Sequence, residues 1–187
     1  MDNSVSEQLG YPLVMRVLHW TTAFIMITMI FAGIYMVNGP WEGKFPASRG
    51  WLYDYHRGMG FVLMVLVLLR LLTYRFSPPP SPLPSTMNMA QKILAQTVHF
   101  LLYASLIIHP IFGWYATNLW GVKNIPVFGL FDLPTLVEKD RELGNLLLSW
   151  HGYIGFFIAF LIVLHVAGAM YHKLVVKDGV FERMIRR

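Results

Sequence analysis

The sequence predicts an all-α integral membrane protein, a four-transmembrane-helix antiparallel bundle. Three observations carry that prediction. Of 187 residues, 56% are hydrophobic and only 13% are charged, about half the charged share of a typical soluble domain. The charges that remain leave four long apolar stretches, each able to cross a bilayer whose core takes about 20 helical residues. A cluster of five prolines, Pro78, Pro79, Pro80, Pro82 and Pro84, divides the middle two stretches, and proline at that density stops a helix and favours a stiff linker.

The elements follow in order within one domain, 1–187. Span one, 17–37, sits inside the uncharged run from Val17 to Trp41. It is too long for a signal-peptide core and lacks a small-residue cleavage site, so it reads as retained. Span two, 52–74, includes Asp54, Arg57 and Arg70, but its centre from Phe61 to Leu69 is strongly apolar. Span three, 93–117, lies in the uncharged run Ile93 to Val122, and span four, 146–172, in the run Leu143 to His172. The segment 118–145 is partly apolar (Ile125 to Phe131) and reads as a short lid at the interface. The tail 173–187 alternates basic and apolar residues. It suits either a helix lying on the anionic inner leaflet or a solvated segment that fixes topology.

The net charge is +5. In so apolar a chain the basic residues serve membrane topology rather than nucleic acid. With the N-terminus inside, nine Lys and Arg fall on the inner side and six on the outer, so both termini are expected in the cytoplasm. Cysteine is absent, which excludes disulfides, iron–sulfur clusters, thiolate haem ligation and c-type haem attachment.

Seven histidines in such a chain are the unusual feature. On this topology His19 and His165 share an inner depth, and His56 and His151 share an outer depth. His151 and His165 are fourteen residues apart. They therefore lie about 40° from the same face of one helix and about 21 Å apart along it. One face of span four offers two imidazoles, one per leaflet, each opposite a histidine on another span. That is the arrangement two axially ligated haems require. Four histidines so matched outweigh the reading in which each merely hydrogen-bonds across helices.

Small residues sit where a macrocycle needs room. Gly58 and Gly60 follow His56, and Gly33 lies fourteen positions after His19, at the outer level. Arg70 lies fourteen positions after His56, at the inner level. An intramembrane arginine is costly unless paired; Arg70 suits a haem propionate or a topology anchor. His172, seven residues after His165 on the same face, suits a quinone headgroup entering from the leaflet or simple snorkelling. Arg57 suits an outer cationic patch with Lys44 and Arg49, or snorkelling. His99 and His109 are ten residues apart on span three, about 80° from a common face, and so form no third haem site by themselves.

At this point the chain resembles the bacterial cytochrome b561 family of di-haem membrane cytochromes. The resemblance covers almost the whole length. It rests on His19-Trp20, on His56 with its glycines and Arg70, on the Pro-rich inner loop, on Ser149-Trp150-His151, and on Leu164-His165 with His172. It implies two non-covalent haems b, held by His19 with His165 and by His56 with His151, in a bacterial inner membrane. Members of the family include superoxide oxidase, which passes electrons from superoxide outside to ubiquinone within the membrane, at a position matching His172. Related chains serve as cytochrome b subunits of hydrogenases and other oxidoreductases. The resemblance thus implies a superoxide:ubiquinone type of oxidoreductase, or else a subunit that meets a periplasmic redox protein through 118–145. A haem-free transporter or scaffold bundle is the remaining alternative.

Overall fold

The computed structural model describes residues 10–39, 47–76 and 87–185, without the side chains of 47–49. The Pro78–Pro84 cluster, Trp41, Lys44, the side chain of Arg49, Arg186 and Arg187 lie outside the described residues. Four long helices, α1 (Leu13–Asn38), α2 (Ala47–Phe76), α3 (Met89–Trp120) and α4 (Arg141–Tyr171), make up the bundle. All four are long and apolar enough to cross a membrane. α1 packs most closely on α2 and α3 on α4, while α2–α3 and α1–α4 contacts close the ring.

The bundle is apolar outside as well as in. Phe24, Phe31, Phe100, Phe156 and Val163 are each 59% exposed or more, which suits acyl chains and would be prohibitive in water. Ile25, Met29 and Leu63 form the buried centre, with Met26, Met59, Val62, Leu66 and Leu106 packed around them.

The helices run past the apolar stretches read from hydropathy, because caps rather than apolar residues set their ends. Asn88 and Gln91 form a reciprocal capping box that starts α3, four residues before the apolar run. Asp140 accepts from the Leu143 amide at 3.0 Å and starts α4 at Arg141, five residues ahead of the expected span. There α4 meets α3 backbone to backbone. A Cβ at Gly144 would lie 2.6 Å from the Trp120 amide nitrogen, so only glycine permits this approach. α3 itself continues through Pro110.

The lid is a β-hairpin, β1 (Ile125–Val127) antiparallel to β2 (Phe131–Leu133). It covers the outer end of α2, burying Ile125, Val127 and Leu133 against Phe61, Trp114 and Val122. Asn118 ties it to α3. The residue is 2% exposed, and its side chain donates to the Val122 carbonyl at 2.8 Å and accepts from the Leu136 amide at 2.9 Å.

The tail differs from both expectations. It is neither one helix on the leaflet nor a free solvated segment. After α4 the hydrogen bonding widens into a π-turn over His172–Val176. Lys177 then takes a left-handed conformation (φ 56°) that reverses the chain, and a short 3-10 turn covers Glu182–Met184. The returning chain docks on the start of α1. Arg16 donates to the Ile185 carbonyl at 2.6 Å, Trp20 to the Met184 carbonyl at 2.9 Å, and the Tyr11 amide to the Arg183 carbonyl at 2.9 Å. The Tyr11 hydroxyl meets that of Tyr74 at 3.2 Å. Burial, reinforced by this neighbour, pushes the Tyr11 phenol above its ordinary range.

Replacing Asn118 with alanine should leave the Leu136 amide without its acceptor. We expect the hairpin to open more easily by about 1–3 kcal/mol. Hydrogen–deuterium exchange should then quicken over 122–136 while α1 and α2 keep their protection.

Candidate functional site

The bundle brings the four singled-out histidines together in two pairs. His19 on α1 faces His165 on α4 with ring centres 6.2 Å apart, and His56 on α2 faces His151 on α4 at 6.3 Å. The rings cross at 70° and 73° respectively. One continuous helix carries both α4 partners, so their fourteen-residue spacing fixes the distance between the two levels.

The neighbours differ from level to level. Gly33 stands against the outer pair, where an added Cβ would lie 3.5 Å from the His56 Cε1. Gly60 does not meet a histidine; a Cβ there would approach Pro110 at 3.9 Å and Met29 at 4.0 Å. Gly58 lies under the Phe128 ring of the lid, which a Cβ added there would approach to 3.1 Å. At the inner level the Arg70 guanidinium donates to the His19 Nδ1 at 3.0 Å and lies 5.3 Å from the Tyr103 ring centre. Arginine has no acceptor, so Nδ1 of His19 is the unprotonated nitrogen here.

α3 contributes more than its sequence suggested. His99 meets His165 edge-on at 5.0 Å, and His109 lies flat on His151 at 3.8 Å with 7° between the planes. The two α3 histidines serve different levels. An 80° offset between them still leaves both on the side of α3 that faces α4.

His172 is buried where α4 gives way to the π-turn. Its Nδ1 lies 2.7 Å from the Asp178 carboxylate, whose side chain is 2% exposed. Nothing in the sequence pattern marks Asp178, because only the left-handed turn at Lys177 returns it to His172. At the outer end Arg57 donates to Asp54 at 3.0 Å. The cationic patch expected of Lys44, Arg49 and Arg57 therefore has its Arg57 charge tied to a carboxylate.

The donor set can be tested against the cofactor the pairs suggest. Two imidazole nitrogens, each about 2 Å from one metal and about 1.1 Å from its own ring centre, place the ring centres roughly 6.2 Å apart. Both pairs meet that requirement. No cluster of three or more metal-binding side chains occurs among the described residues. A porphyrin supplies its own four nitrogens and needs two more ligands, which the one pair at each level spaced near 6.2 Å would provide. Nδ1 of His56 and of His151 are buried without a hydrogen-bond partner, so no hydrogen bond at that nitrogen holds either outer ring. The residues present fit a bis-histidine haem at each level.

The sequence model of the prokaryotic cytochrome b561 family matches residues 10–187. The chain belongs to this family. Cytochrome b561 homolog 2 of Escherichia coli (strain K12) is 30% identical to it over 179 residues, covering 94% of this chain and 90% of that protein. Cytochrome b561 homolog 1 of the same organism is 27% identical over 176 residues, covering 91% and 93%. As a prokaryotic cytochrome b561 with four apolar helices, the protein is a multi-pass inner-membrane protein. The family is one of redox proteins that transfer electrons in membranes and carry b-type haem, which favours the haem reading over a haem-free bundle.

Proposed function

We propose that this cytochrome b561 binds two non-covalent haems b, the inner between His19 and His165 and the outer between His56 and His151. It carries electrons across the inner membrane from a periplasmic donor, superoxide, to ubiquinone at the inner leaflet. The single observation that supports the reading most is the repeat of one geometry at two levels. Ring centres stand 6.2 and 6.3 Å apart, and both pairs share α4. The excess of Lys and Arg on one side supports an orientation with both termini cytoplasmic.

Haem b, when bound, supplies one-electron carriage at a potential set by its axial ligands, burial and nearby charge. The chain's own residues supply the rest. Two histidines per level would hold each haem and would leave no open position for oxygen species. Arg70 provides a fixed positive charge beside His19. Its Nε has no hydrogen-bond partner, which suits it to a haem carboxylate. If His19 held the haem through Nε2, its Nδ1 would carry the hydrogen and could not accept from Arg70, which would leave the guanidinium for that carboxylate.

At the inner end Asp178 accepts from Nδ1 of His172. That fixes the ring's orientation and leaves Nε2 as the nitrogen that gives or takes a proton. A quinone reduced at the leaflet requires protons as well as electrons, and on this reading His172 would supply one.

A second reading draws on the lid. Phe128, Leu130 and Phe131 at the hairpin tip are 50%, 81% and 47% exposed. Such a tip suits docking of a periplasmic redox protein, and the chain would then be a cytochrome b subunit of a hydrogenase or another oxidoreductase. An assay on the isolated protein in detergent separates the readings. Superoxide-dependent reduction of a ubiquinone analogue is expected, and His172→Ala should raise the KM for the quinone with both haems retained. No reduction without an added protein partner favours the subunit.

Haem counting tests the pairing. His19→Ala and His165→Ala should each lose the same one of two haems, and His56→Ala and His151→Ala the other. Loss in crossed combinations would falsify the two-level assignment.

Potentiometry tests Arg70. A unit charge about 8 Å away at an effective dielectric near 20 is worth roughly 2 kcal/mol, or about 90 mV for one electron. Arg70→Met should lower the midpoint potential of the haem lost in His19→Ala by an amount of this order. The outer haem, about 21 Å further along α4, should shift by less than half as much, about 35 mV at the same dielectric.

A further inference from the structure

Metal-bound histidines are held in place by what their second nitrogen bonds to, usually a carboxylate or carbonyl. His151 has no such anchor. Its Nδ1 is buried without a hydrogen-bond partner, yet the ring stands in one defined place. Two features of α3 account for that. The His109 ring lies flat against it, with centres 3.8 Å apart and planes 7° from parallel. One turn further along the same face, Gly113 leaves the room the ring edge occupies. A Cβ there would come within 2.6 Å of the His151 Cε1 and 3.0 Å of its Nδ1. His109 is also buried at Nδ1 without a partner, so its ring contributes to this contact by its face alone. The inner level has no counterpart. His99 meets His165 edge-on, at 75° and 5.0 Å.

We infer that His109 is a positioning residue for the outer site: by stacking on His151, with Gly113 at the ring's edge, it sets the plane in which that imidazole is presented. The inference rests on the haem-ligand reading of His56 and His151. It goes beyond that reading by giving an α3 side chain a defined task at the outer level. Its consequence is spectroscopic. The angle between the two imidazole planes, 73° here, governs the g-anisotropy of a low-spin ferric haem, and the setting of an axial imidazole tunes its potential.

The test uses the full-length protein carrying its haems. Low-temperature electron paramagnetic resonance of the oxidised form, potentiometry and haem counting are compared for His109→Leu, His109→Phe and Gly113→Ala. We expect His109→Leu to keep two haems, move the outer low-spin signal and leave the inner one in place. His109→Phe, which retains a flat ring to stack, should restore the outer signal toward that of the parent. Gly113→Ala presses on the same ring edge without touching His109. It should move the same signal, and it serves if His109→Leu does not fold. Parent-like outer signals in both His109→Leu and Gly113→Ala overturn the positioning role. So does loss of the outer haem in both His109→Leu and His109→Phe, which would make His109 a ligand. Failure of the underlying reading looks different, since His151→Ala would then retain both haems.

Discussion

An imidazole in hydrocarbon has no water to bond, and that constraint orders this bundle. Each buried ring must find a partner on a neighbouring helix or leave polar nitrogens unmet at a cost of several kcal/mol. The chain gathers its histidines from different helices at two depths and leaves Nδ1 of His56, His109 and His151 without a hydrogen-bond partner. Because α4 supplies one member of each pair, its fourteen-residue spacing sets the depths at which α1 and α2 must present His19 and His56. Core packing conforms to that register. Ile25, Met29 and Leu63 fill the space between the levels, and glycines appear where a ring or backbone comes close, as at Gly33, Gly113 and Gly144.

The larger part of this register is legible in the sequence because helical spacing is simple arithmetic. Fourteen residues return nearly to one face, so counting alone places His151 with His165, His19 with Gly33 and His56 with Arg70. What counting does not supply is anything that depends on a turn or on an inter-helix contact. Asp178 reaches His172 only through a left-handed lysine, a conformation that no residue-type preference announces. His109 and His99 point to the same side of α3 but meet different histidines, because α3 and α4 pack along their whole length. Gly60, expected to make room beside a macrocycle, has Pro110 and Met29 as its neighbours. Helices α3 and α4 start ahead of their apolar stretches because hydropathy marks the hydrocarbon, whereas Asn88 and Asp140 mark the helix.

The two levels are built by different means. The outer ring of His151 is held by contact, with a stacked imidazole on its face and a glycine at its edge. The inner ring of His19 instead has a charge beside it, the Arg70 guanidinium 3.0 Å from its Nδ1. Contact fixes geometry and carries no net charge, so it shapes a site without greatly biasing where an electron rests. A buried cation does bias it, because in a low-dielectric bundle its field is weakly screened.

That difference bears on the direction of flow. At the inner level Arg70 is a cation with one of its nitrogens still without a partner, and its charge favours an added electron there. At the outer level the nearby cation on α2, Arg57, is already met by Asp54 at 3.0 Å, so its field is largely cancelled. On the proposed reading, the uneven charge would make the level beside Arg70 the lower-energy place for an electron. Proton supply points the same way. A quinone taking electrons needs protons, and the buried His172–Asp178 pair stands at the end of α4 beyond the inner histidines. On the proposed two-haem reading, a cation beside one level and an acid–base pair just beyond it would favour electrons moving toward the His172 end of the bundle.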